Sequence, residues 1–184
     1  MMIFKYQQNG HNSVDFRGTY TLASTKNLAA ITVTTREEIF GELSGEINHG
    51  KNTFNLRDIH CFPSGNSHGS LLLKTGIDLI KKVPYFLGTR KIIACTVTDE
   101  AIAFYQKSGF HISLRNSADF HEDINEDINA GLELRSNFLD THLRWSRAIE
   151  PLGPYSRAWN WEGDIDIIHS ICTQRISRLG WREC

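Results

Sequence analysis

Val14, Phe16, Tyr20 and Leu22 alternate with Asp15, Arg17, Thr19 and Thr21, the period of two that predicts a half-buried strand. Ile31 and Val33, set among threonines, predict a second strand. Ile39, Leu43 and Ile47 recur at a spacing of four, which serves a strand or a helix. The interleaved Gly41 and Gly45 disfavour a helix, so a strand is expected. A turn over Asn48–Asn52 leads to a further strand, Thr53 to Phe62, whose pattern slips. Phe54 and Leu56 share one phase, while Ile59 and Cys61 continue out of it. A β-bulge produces such a slip and re-aims the side chains that follow. Beyond the small-residue stretch Pro63–Gly69 the period becomes helical. Leu72, Leu79, Ile80 and Val83 form one face, Lys81 and Lys82 suit the C-terminal end of the dipole, and Pro84 closes the helix. Lys91 to Val97 is a compact apolar strand. Asp99 to Ser108 is a second helix, with Thr98 as its N-cap and Gly109 as its stop. His111 to Leu114 is a short strand.

The body is thus several strands followed by strand–loop–helix–strand–helix–strand, an α+β arrangement with at least one βαβ crossover. A chain of 184 residues with 40 % hydrophobic content fits one domain with an appendage. A net charge of −1 and the absence of long basic runs argue against nucleic acid as a partner. MMIFKYQQNG has none of the regions of a signal peptide, and no apolar stretch has the length of a membrane span, so no membrane association is expected. Cys61, Cys95, Cys172 and Cys184 are widely spaced without a CxxC pair, which suits a reduced, cytoplasmic setting.

The segment Thr98 to Phe110 reads TDEAIAFYQKSGF. It resembles the fourth-helix motif of the GNAT N-acetyltransferase superfamily through Ala101, Phe104, Tyr105, Lys107, Gly109 and Phe110, with Thr98 in place of the usual Asn. The resemblance covers residues 54–114. It implies a central mixed sheet with flanking helices, and strands that diverge at a bulge to admit the pantetheine arm of an acyl-coenzyme A. It further implies a coenzyme pyrophosphate at the N-terminus of the helix after the bulged strand, where free N–H groups favour anions. Gly65, Asn66, Ser67, His68, Gly69 and Ser70 occupy that place, with Ser67 and Ser70 as hydroxyl donors. The family's form there is Q/R-x-x-G-x-G/A, whereas this chain has Ser64 at the Gln/Arg position and a shorter loop. Cys61, Phe62, Thr98, Ala101, Phe104 and Lys107 complete the implied coenzyme site, and a backbone N–H near Cys61 or Phe62 would polarise the carbonyl.

In the family, the tyrosine at position 105 protonates the departing coenzyme thiolate, so Tyr105 is the expected general acid. Asp58 and His60 alternate along the strand that ends at the coenzyme site, so both can point to one face. Either is a candidate base for an amine acceptor, with Glu42 and Glu46 as further candidates. The implied function is transfer of an acetyl or other acyl group from acetyl-CoA, or another acyl-CoA, to an amine of a small molecule or protein. Such domains often form homodimers. Two alternatives remain open: a degenerate, non-catalytic protein-binding module, and a transferase that uses aminoacyl-tRNA.

Residues 1–115 are accordingly the acyl-CoA-binding core, and 116–184 an extension that completes the sheet or the acceptor site. The tandem EDIN repeat within His121–Asn129 suggests calcium, but Ile128 replaces the required Gly and Leu134 the final Glu, so no metal is expected. Asp164 to Leu179 reads as an amphipathic helix capped by Asp164, with Arg175 and Arg178 in its last turn and Gly180 at its end. Before it, Gly153–Gly163 is an aromatic loop whose Trp159 and Trp161 either line an acceptor pocket or cover the sheet.

Overall fold

The computed structural model describes residues 1–9, 12–22, 28–36, 39–63, 67–94, 99–113 and 160–184. Gly65, Asn66, Thr98, Cys95, Trp159 and the EDIN repeat lie outside the described residues. The strands are β1 (Met2–Gln8), β2 (Ser13–Leu22), β3 (Leu28–Arg36), β4 (Phe40–Asn48), β5 (Thr53–Phe62), β6 (Lys91–Ala94), β7 (His111–Ser113), β8 (Asn160–Asp164) and β9 (Trp181–Glu183). The helices are α1 (His68–Lys82), α2 (Asp99–Lys107) and α3 (Ile165–Arg178). The strands form one mixed sheet in the order β7-β8-β6-β5-β4-β3-β2-β1-β9. Its parallel pair is β5 with β6, joined through α1, and the fold is α+β.

Alternation decides which side of the sheet is dry. Phe4 and Tyr6 on β1, Val14 and Phe16 on β2, Ile31 and Val33 on β3, and Leu43 and Ile47 on β4 are all buried. Helix α1 packs across β2 to β5 and against α3, supplying Leu72, Leu79 and Ile80 to the same core. Gly41 and Gly45 lie in β4 because the chain crosses close neighbours there. A Cβ on Gly41 would come within 2.8 Å of Leu72 Cδ1, and one on Gly45 within 2.5 Å of the Asn55 carbonyl oxygen. The second clash is with backbone, which cannot step aside. Gly45→Ala is therefore expected to cost about 1 to 3 kcal/mol, lowering the thermal midpoint by roughly 2 to 12 °C; an unchanged midpoint would refute it.

The slip in β5 is a bulge. Ser44 pairs with Asp58 and Gly45 with Leu56, which leaves Arg57 as the extra residue.

The C-terminal segment joins the sheet twice. Strand β8 lies between β6 and β7, and β9 pairs with β1 at the other edge. Trp161, expected in a loop, is a buried strand residue opposite Ala94 and Ile112. Between β8 and β9, α3 has the ends expected of it. Asp164 Oδ1 accepts from the amides of Asp166 and Ile167 at 2.8 and 3.1 Å, Arg175 and Arg178 occupy the last turn, and Gly180 adopts φ +81°.

A charged cluster ties α1 to both β1 and the C-terminal elements. Lys74 Nζ donates to Asp78 Oδ2 at 2.6 Å, Tyr6 Oη at 3.2 Å and Glu183 Oε2 at 3.3 Å. His169 on α3 bonds the other Asp78 oxygen at 2.7 Å. Burial pushes the Tyr6 phenol up to about 12, against the opposing Thr75 hydrogen bond and Lys74 charge. Burial also acts against the charged forms of Lys74 and Asp78. It is outweighed by their mutual hydrogen bond, by Tyr6 at the lysine and by His169 at the aspartate, which hold Lys74 above and Asp78 below their usual ranges.

Candidate functional site

Among the described residues, β6 pairs with β5 as far as Ala94, opposite Leu56. Past the bulge, Asp58 to Phe62 remain paired with β4, but on the β6 side that edge has no strand partner among the described residues. A strand edge with open main-chain N–H and C=O groups invites an extended ligand to pair as a strand would. A cavity of about 290 Å³ borders this edge. Ile59, His60 and Cys61 of β5 form one wall, Ser67, Gly69 and Ser70 at the start of α1 another, and Ala101 and Phe104 of α2 a third, with Arg175 of α3 completing the lining. That volume is at the small end of the range for ligand pockets.

The start of α1 is built for close approach. Ser67 takes a left-handed conformation (φ 59°) and its side chain makes no capping bond. No acidic residue occupies the first turn, so its amides have no built-in anionic partner. Gly69 is required by packing, because a Cβ there would come within 2.9 Å of the Phe104 ring.

Alternation along β5 divides the candidate residues. Ile59 and Cys61 pack against the core, while Asp58 and His60 take the opposite face, with side chains 61 % and 48 % exposed. Asp58 Oδ2 lies 3.3 Å from His60 Nδ1. A carboxylate oxygen accepts here only from the tautomer that carries its proton on Nδ1. Glu42 is the cross-strand partner of His60. Glu46 is engaged by Arg57 at 2.8 Å.

The remaining expected residues are spread more widely. Ser67, Gly69, Ser70, Cys61, Ala101 and Phe104 meet at the cavity. His68 does not: its Nδ1 lies 2.9 Å from the Pro63 carbonyl oxygen, and its ring meets Trp181 edge-on at 6.1 Å. Phe62 and Lys107 are exposed away from the lining. Tyr105 is 6 % exposed, its ring held edge-on by Phe104 at 5.3 Å and Phe110 at 5.0 Å. It stands behind the cavity wall rather than on it.

Burial pushes the Cys61 thiol up, opposed by a hydrogen bond from the Gly69 backbone. Burial pushes Cys172 up to about 11, with Arg175 and the Ser70 and Ser108 hydroxyls acting against it. Both thiols are therefore protonated near neutral pH, and neither is a ready nucleophile. Arg175 was missed as a site residue, since its position in the sequence marks only the last turn of a helix. Nothing local says that this turn ends beside β5 and α1. Among the described residues no group of three metal-ligating side chains occurs, and no helix is long and apolar enough to cross a membrane. Compared with known proteins, the chain matches no family model, no curated protein and no solved structure.

Proposed function

We propose that this chain is a GNAT-type acyltransferase that moves an acetyl or other acyl group from an acyl-coenzyme A to an amine. One observation carries the reading: just past the Arg57 bulge, β5 borders a cavity that it shares with the N-terminus of α1 and with the α2 helix that bears the Ala101–Phe104–Tyr105 motif. In this reading the pantetheine amides pair with the open edge of β5 beyond Asp58, and the diphosphate meets the first-turn amides of α1. His60 Nε2, oriented by Asp58, takes a proton from the acceptor amine. The amine nitrogen then bonds to the thioester carbonyl carbon, whose oxygen is polarised by a backbone N–H near Cys61 or Phe62. The C–S bond breaks as the tetrahedral intermediate collapses, and Tyr105 protonates the leaving thiolate. This last step requires the Tyr105 phenol to turn from its place beside Phe110 towards the cavity.

Residues 23–27 are all that separate β2 from β3. The acceptor side is therefore built from other parts of the chain, the open face of β4 and β5 with Glu42, Asp58 and His60 among them.

The test is the thermal midpoint with and without acetyl-coenzyme A. Ligand at about 100 times its dissociation constant is expected to add roughly 2.7 kcal/mol, a rise of about 5 to 11 °C for a chain of this size. No rise with acetyl- or longer acyl-coenzymes would overturn the reading.

A further inference from the structure

Ile59, Cys61, Ala101 and Phe104 make the cavity wall largely apolar, yet α3 brings a guanidinium to it. Arg175 Nη1 is shut away from solvent without a hydrogen-bond partner, and no described carboxylate forms an ion pair with this side chain. The group that feels its charge is the Cys172 thiol, three residues earlier on α3. That thiol is protonated near neutral pH and supplies no counter-charge. A partly desolvated cation without a counter-charge is costly in a folded protein, so Arg175 is poised for an anion that a ligand brings.

The surroundings narrow the anion. A guanidinium fork matches the two oxygens of a carboxylate and its single charge. A diphosphate carries more charge, and among the described residues no lysine or second arginine lines the cavity to balance it. One cation in an apolar wall suits a ligand whose carbon chain ends in a carboxylate.

We infer that Arg175 is a carboxylate anchor, and that the acyl group taken by this site carries a free carboxylate at the end remote from its thioester. The anchor takes no part in bond making. The amine nitrogen still bonds to the thioester carbon and the coenzyme thiolate still leaves, while the remote carboxylate is held unchanged. Helix α3 reaches the cavity because β8 and β9 hold its two ends, so the C-terminal segment sets the acyl preference. That the carboxylate arrives on a coenzyme rests on the acyl-transfer reading; a free aliphatic carboxylate would meet the same guanidinium.

Titration calorimetry tests this with malonyl-, succinyl- and glutaryl-coenzyme A, each against the acyl-coenzyme of equal chain length that ends in methyl, and with coenzyme A and free succinate. In the wild type at least one carboxylate-bearing member is expected to bind about tenfold to a hundredfold tighter than its methyl counterpart, the worth of one charge-assisted hydrogen bond. Arg175→Gln should abolish that preference and leave coenzyme A and the methyl-ended coenzymes unchanged, while Arg175→Lys keeps part of it. The wild-type comparison decides the preference even where a variant fails to fold. Coenzymes bound without any preference for a carboxylate would overturn the anchor and leave the acyl-transfer reading intact. Equal weakening of every coenzyme in Arg175→Gln would place the guanidinium on phosphate and also overturn it. Arg175-dependent binding of free succinate without binding of any coenzyme would keep the anchor and sink the acyl-transfer reading. No binding of any of these ligands would overturn both.

Discussion

Lys74→Met is expected to lower the stability of this protein by about 3 to 5 kcal/mol, the range for removing one partner of a buried ion pair. For a chain of this size that is roughly 6 to 20 °C in thermal midpoint. The Lys74 side chain is 7 % exposed and bonded to Asp78. Methionine would keep the aliphatic length but leave the Asp78 carboxylate with only His169 and the Tyr6 hydroxyl as partners and no lysine charge, and would release the lysine's contacts to Tyr6 and Glu183. Strand β9 is held to α1 partly through that glutamate, so its edge should loosen first, seen as faster amide exchange at Trp181–Glu183. Lys74→Met combined with Asp78→Leu should recover part of the loss, because no charge is then stranded. Denaturant titration of the three proteins checks this; a loss below about 1 kcal/mol for the single variant would contradict it.

The same cluster sets a pH dependence. Asp78 has its folded pKa below that of the unfolded chain, so its contribution is present above the unfolded value of about 3.9. That contribution drains away as pH falls through the depressed folded value. Tyr6, raised to about 12, and Lys74, also raised, behave oppositely. Their contribution is full below an unfolded value of about 10 and is lost as pH rises through the folded values. Removing Lys74 should flatten stability against pH on the acid flank, where it helps to hold Asp78 down, and on the alkaline flank should remove only the lysine's own share, leaving that of Tyr6.

Tyr105→Phe is expected to lower kcat for acyl transfer by about a hundredfold to ten-thousandfold, the usual range for a positioned acid. The KM for acyl-coenzyme A should barely move, because the phenol acts only as the C–S bond breaks. Phenylalanine retains the ring that meets Phe104 and Phe110 edge-on, so folding should survive and the comparison stay clean. Steady-state kinetics with the thiol product trapped as it forms would read the effect. An unchanged kcat would remove Tyr105 from the mechanism and leave its phenol as a core group.

Local chemistry made much of the fold legible. The ends of α3 could be read because capping is a matter of neighbours: Asp164 bonds amides two and three residues on. The bulge at Arg57 could be read because one inserted residue shifts the phase of every side chain after it, from Leu56 to Ile59 and Cys61. The pairing of Asp58 with His60 followed from their separation along one strand. Strand β1 escaped notice because only Phe4 and Tyr6 mark its buried face, and β8, with the sequence NWEGD, has little strand preference of its own. Its neighbours β6 and β7 make it a strand.

By itself, then, the sequence determined the strands β2 to β5, the three helices, the Asp164 cap of α3 and the position of the bulge, since each depends on contacts within a few residues. Only the tertiary structure decided that β8 enters between β6 and β7, that β9 closes on β1, and that His68 turns to Pro63 and Trp181. It also decided that Tyr105 faces the core and that Arg175 reaches the cavity. These depend on which distant surfaces meet, and periodicity along a chain shows that a face is apolar without saying what will cover it.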